Sequence, residues 1–215
     1  MALPTVQDLI DEIDEDLNDD SFSTAKKLTV LNDVQREIAT DNDLPALALN
    51  TTVATSLTLS YVAMPAGFQK KLYKVYSVTE KQDVRILPSL ADLHAEYVAS
   101  IDQSGAVEGV ALFGSKLHYQ HIPTGAETLR LFYYGIPTEM TEMDDTPTAL
   151  PEPLAKDLLL HGALFKLFAK IEDGIEGPKM NTRHYGDLFA YDLGRLDHYL
   201  KTLTRSSWVK PKCWL

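Results

Sequence analysis

Cysteine is almost absent: Cys213 is the only one in 215 residues. That excludes a disulfide framework within the chain and a cysteine-rich zinc site. No apolar run approaches the roughly 20 residues that span a bilayer, so no membrane partner is expected. Met1-Ala2-Leu3-Pro4-Thr5 lacks the basic and apolar regions of a signal peptide, and synthesis in a cytosol is expected. Bases are few: 20 Lys and Arg stand against 31 Asp and Glu, a net charge of −11. This argues against a general nucleic-acid binder. Length is not lacking. A chain of this size buries roughly 70% of the surface its unfolded form exposes, so its core needs no staple.

The charge is unevenly spread. Residues 1–50 carry −9, with eight acids between Asp8 and Asp20; residues 51–153 carry −5 and residues 154–204 balance at zero. Residues 205–215 carry +3. An acidic head and a short basic, aromatic tail suggest ends that meet different partners. The plainer alternative is a solvated helix and a frayed terminus.

Thr5 is placed as an N-cap with Asp8 closing a capping box. Val6, Leu9, Ile10, Ile13 and Leu17 follow at helical spacing with acids on the other face. After the turn Asn18–Ser21, Ser23 or Thr24 starts a second helix marked by Leu28, Leu31, Gln35 and Ile38. The period then changes. Thr51–Met64, with Leu57, Leu59 and Tyr61 alternating, reads as a strand, as do Leu72–Val78 and Val84–Leu87. Pro88-Ser89 caps a helix from Leu90 to about Val98. Val110–Phe113 and Lys116–Gln120 flank the hairpin turn Gly114-Ser115. Thr128–Tyr134 is the strongest strand. Gly135–Pro153, with the acids Glu139, Glu142, Asp144 and Asp145, reads as a long, exposed loop. Leu158, His161, Gly162, Phe165 and Phe168 line one helix, closed by Gly174 and Gly177-Pro178. Phe189, Leu193, Leu196, Leu200 and Leu203 form a heptad-like seam on the last.

The predicted fold is α+β: a four-helix bundle with a small β-rich domain inserted between its second and third helices. Residues 1–50 form the helical hairpin, 51–137 the β-rich domain and 138–153 the acidic loop. Residues 154–204 form two further bundle helices and 205–215 an extended arm.

Catalytic motifs are missing. Gly105, Gly109 and Gly114 are too widely spaced for a phosphate loop, there is no nucleophile elbow, and Cys213 sits where no His can be rigidly aligned. His118 and His121 need not converge across a strand end and a Pro-containing loop, so no metal is assigned. His161 reads as a core residue satisfied by one hydrogen bond. His94, His184 and His198 have no acidic or thiol partner at ligand spacing. Paired carboxylates at Glu139–Asp145 would suit a glycoside hydrolase only if one were desolvated. No cofactor is implied.

The order of several segments nevertheless resembles a known family. These are Leu31–Ala39, Gly114–Leu117, Ile122-Pro123, Leu131–Pro137, then an acidic loop, Leu150-Pro151 and Leu158–Leu164. Over roughly residues 25–200 the chain resembles the head–tail adaptor (connector) proteins of tailed bacteriophages. The resemblance implies a non-enzymatic virion protein at the head–tail junction. There, twelve copies form a ring beneath the portal protein, extend the channel for genomic DNA and receive tail or neck proteins. It also implies a C-terminal extension that wedges into the portal. Arg205, Trp208, Val209, Lys210, Pro211, Lys212, Trp214 and Leu215 fit that role: both tryptophans of the chain lie here, and such side chains anchor interfaces. Acidic channel walls would let DNA slide, and the acids of the first helix and the loop acids Glu139, Glu142, Asp144 and Asp145 are both candidates to face the lumen. The alternatives are a cell-wall hydrolase built on those carboxylates and a tail-side ring protein.

Overall fold

A computed structural model describes residues 3–18, 21–98, 104–173 and 179–204. The elements run α1 (Val6–Leu17), α2 (Thr24–Asp41), a 3-10 turn at Pro45–Leu47, β1 (Ala48–Ala54), β2 (Tyr61–Ala63), β3 (Phe68–Ser77) and β4 (Gln82–Leu87). They continue with α3 (Leu90–Glu96), β5 (Gly109–Phe113), β6 (Lys116–Tyr119), β7 (Thr128–Gly135), α4 (Glu152–Ile171) and α5 (Met180–Thr204). The chain divides into two compact units, Met1–Ala46 with Pro137–Leu215, and Leu47–Ile136.

In the helical unit, α1 starts where its side chains dictate. The Thr5 hydroxyl oxygen accepts from the Asp8 amide, and the Asp8 carboxylate accepts from the Thr5 amide at 2.9 Å. These bonds satisfy two donors that a helix start leaves orphaned. Val6, Leu9, Ile10, Ile13 and Leu17 are all buried, as their spacing predicts. Ser23 caps α2 through the Lys26 amide. Lys27, buried on α2, is ion-paired with Asp14 of α1.

The expected four-helix bundle with a small inserted β-domain is not what forms. Among the described residues there are five α-helices and a seven-stranded curled sheet. The fifth helix, α3, lies in the β unit. The helices also do not share the core equally. α4 packs against α1, α2 and α5, because Leu158 and Leu159, Ala163 and Leu164, and Leu167 and Phe168 bury it on more than one face. A helix apolar on several sides becomes a centre instead of one stave among four. Gly162 makes this possible: a Cβ there would lie 2.6 Å from Val34 of α2 and 3.0 Å from the Phe189 ring of α5.

In the β unit the sheet order is β1-β7-β3-β4-β5-β6-β2. All pairings are antiparallel except β4–β5. A parallel pair needs a crossover, and α3 sits in that connection with Ser89 as its N-cap. Val75, Val84, Val110, Leu117, Leu129 and Leu131 fill the inner face. Gly114, at φ +60, makes the two-residue β5–β6 hairpin turn in which the left-handed region favours glycine.

The predicted Thr51–Met64 strand is broken. Residues 55–60 leave the ladder, and Leu57 and Leu59 are exposed. Hydroxyls cause the break. Ser56 Oγ accepts from the Thr58 and Leu59 amides, and the buried Tyr119 hydroxyl donates to the Leu59 carbonyl at 2.8 Å while accepting from the Ser56 amide at 2.9 Å. Local side-chain bonds of this kind compete with a ladder.

Candidate functional site

The acidic segment between β7 and α4 is a loop with Glu139, Glu142 and Asp144 exposed, as its composition predicts, but it is also anchored. Met140, Ala149 and Leu150 are buried. The Asn32 side chain brackets Met140: its Nδ2 donates to the Met140 carbonyl at 2.8 Å and its Oδ1 accepts from the Met140 amide at 2.9 Å. Gln35 Nε2 donates to the Thr138 carbonyl at 2.9 Å. The Val6 and Gln7 amides, orphans of the α1 start, donate to the carbonyls of Asp145 and Met143 at 2.9 Å each. The segment is thereby stitched to α1 and α2.

The four acids in it take different roles. Glu139 pairs with Arg36 at 2.6 Å. The Asp145 carboxylate accepts from the Thr141 and Glu142 amides at 2.6 and 2.9 Å. These backbone bonds, that from Glu142 foremost, hold its pKa below the usual carboxylate value of 3.8. A glycosidase acid needs the opposite, a carboxyl kept protonated by desolvation. Glu142 and Asp144 are exposed.

His161 makes the single hydrogen bond expected of it, Nδ1 to Asp192 Oδ2 at 2.7 Å. The partner is more telling than the histidine. Asp192 is 2% exposed, and Arg195 Nη1 bonds it at 3.0 Å while reaching Asp157 of α4 at 2.8 Å. The buried carboxylate is thus compensated on two sides, as a buried charge must be. Beside Arg195 an open apolar groove of about 600 Å³ runs along α5, lined by Pro153, Leu154, Tyr191, His198 and Tyr199.

His118 and His121 sit in different surroundings. His118 packs against the Tyr61 ring at 5.3 Å and Phe113 at 6.2 Å. Burial, then Lys116 and His94, push its pKa below 6.5. His121 is buried, and among the described residues neither of its ring nitrogens has a hydrogen-bond partner. Among the described residues no group of three or more His, Cys, Asp or Glu side chains is placed to hold a metal.

Sequence reasoning missed one surface altogether. On the outer face of the sheet, Arg130, Phe132 and Tyr134 of β7 register with Tyr76, Lys74 and Lys70 of β3. The Tyr73 ring lies 6.3 Å from Phe132 and 5.4 Å from Tyr134, and Lys71 Nζ sits 5.9 Å from the Tyr134 ring centroid. Plain alternation from Lys74 would send Tyr73 inward. The register shifts between Phe68 and Lys74, with Lys71 at φ 51, turn it outward instead. The only signal in the sequence was the run Lys70-Lys71-Leu72-Tyr73-Lys74 facing a strand apolar on both sides.

The predicted arm residues Arg205, Trp208, Val209, Lys210, Pro211, Lys212, Trp214 and Leu215 lie outside the described residues, as do Gly174 and Gly177-Pro178. Among the described residues no helix is long and apolar enough to cross a membrane. Residues 4–211 match the profile of one family, described as SU10 adaptor protein. No curated protein matches the chain.

Proposed function

The chain belongs to the SU10 adaptor protein family, and from that premise we propose that it forms a ring on the portal of a tailed-phage particle. The family is one of structural phage adaptors, so its work is contact between protein neighbours. The match over residues 4–211, nearly the whole chain, carries this reading. In it, twelve copies continue the DNA channel below the portal at the head–tail junction and offer a platform to tail or neck proteins.

Two further features support the reading. The −11 net charge disfavours binding to phosphates, and each Lys or Arg contact avoided is one less grip on passing DNA. Glu142 and Asp144, exposed and on a segment stitched to two helices, would give a channel wall fixed negative charge. Glu139 and Asp145 act first as structural partners. Residues 205–215 supply the portal anchor, with Trp208 and Trp214 as its buried points and Arg205, Lys210 and Lys212 as its polar rim.

Capture by purified portal tests the proposal. Full-length chain is expected to bind, and a chain ending at Thr204 to bind at least tenfold more weakly. Equal binding removes the arm from the proposal. Particle imaging that places this chain away from the portal, or in a tail-side ring, removes the rest.

A further inference from the structure

We propose that the outer face of β3 and β7 is the seat for the acidic α1 helix of a second copy, which makes it one half of the subunit contact in the ring. This deepens the reading given above and rests on it. Tyr73 is 44% exposed, and its ring, Phe132 and Tyr134 form a joined aromatic cluster. Beside it stand Lys74 and Arg130, and Asp83, registered opposite Tyr76, lies 3.0 Å from Lys74. Aromatic anchors at the centre with cations at the rim is the make-up of a protein interface. Arg130 is exposed and has no ion-pair partner among the described residues.

Charge complementarity names the occupant. Residues 47–136 hold seven Lys and Arg and seven Asp and Glu, so the entire −11 belongs to the remainder of the chain. Within it, α1 presents Asp8, Asp11 and Glu15 to solvent at spacings of three and four, one ridge of the helix. Among the described residues Asp8 is bound by its own cap, Asp11 accepts only from Gln7, and Glu15 has no partner. Like charges four apart on a helix repel. A cationic seat on a neighbour relieves that repulsion. Because the two patches are different surfaces of one chain, the contact is heterologous and repeats from copy to copy, as a ring requires.

The test is charge exchange in the full chain, followed by sedimentation velocity over a range of concentrations in low and high salt. Wild type is expected to self-associate, and more weakly as salt rises. Lys74→Glu with Arg130→Glu should weaken association about tenfold or more, and so should Asp11→Lys with Glu15→Lys. A chain carrying all four substitutions should regain association. Circular dichroism of each variant controls for folding.

A wild type that stays monomeric at low salt overturns the inference. So does association that ignores the single-patch reversals, or that the four-fold exchange fails to restore. Binding of a thymidine oligonucleotide that Arg130→Glu abolishes, without self-association, reassigns the face to single strands and overturns it too. Portal capture is scored separately: failure of wild type to bind portal breaks the ring reading, whereas wild-type capture with reversal-insensitive association breaks only this inference.

Discussion

The two units reach stability by different routes. The helical unit carries all of the net charge of the chain, and its core converges on α4, whose crossing with α2 and α5 leaves no room for a side chain at Gly162. Its polar groups are used as stitches: the Thr5–Asp8 cap, the Asn32 bracket on Met140, and Asp192 between His161 and Arg195. The β unit is neutral overall. Its core of Val, Leu and Tyr side chains is enclosed by the sheet, and its hydroxyls act mainly to end strands, as Tyr119 does at Ser56–Leu59. A charged, closely packed assembly of helices thus sits in the same chain as a charge-balanced sheet, and the two should fail under different stresses.

The largest effect is expected at the helix crossing. Gly162→Val forces a branched side chain into the space held by Val34 and Phe189 and should cost about 3 kcal/mol. Hydrogen exchange should show the loss in α2, α4 and α5, with β3 and β7 protected as before. Uniform loss through both units would break the comparison. A smaller effect is expected in the sheet. Tyr119→Phe leaves the Ser56 amide and the Leu59 carbonyl without their hydroxyl and should cost about 1.5 kcal/mol. Denaturant melts read out that cost, and exchange should rise at residues 55–60 first.

The smallest effect sharpens the comparison by pH. In the β unit, burial lowers the His118 pKa from 6.5, so the folded form binds fewer protons than the unfolded chain. Stability there should fall as pH drops below about 6.5 towards that lower value, and stay flat beneath it. In the helical unit three carboxylates are depressed. Asp8 is lowered by the Thr5 hydroxyl, Asp145 by the Glu142 amide and Glu172 by the Thr182 hydroxyl. Their contribution is complete above the ordinary carboxylate pKa and is lost as pH falls through the folded values. Exchange measured from pH 7 to 3 should therefore show the sheet weakening first. His118→Gln should remove the first loss and leave the second. A single loss common to both units near pH 4 would refute the assignment.

Which parts were legible follows from the range of the interactions. The α1 stripe, its capping box, the Ser89 cap, the Gly114-Ser115 turn and β7 all depend on residues within a few positions of one another, and each stands where its spacing puts it. The anchoring of the acidic segment was not legible because the groups that hold it, Asn32 and Gln35, are more than 100 positions away. The aromatic face was missed because a register shift decides which way Tyr73 points, and alternation is silent about bulges.

Amino-acid order alone settled the helix starts, the apolar stripes, the charge asymmetry and the family resemblance, because capping, periodicity and composition act locally or by simple addition. Folding alone decided that α4 would be the hub, that Asp192 would be buried against Arg195, and that Lys74, Arg130 and three aromatic rings would share one surface. Such juxtapositions depend on close packing and sheet register, which bring together side chains that no local rule connects.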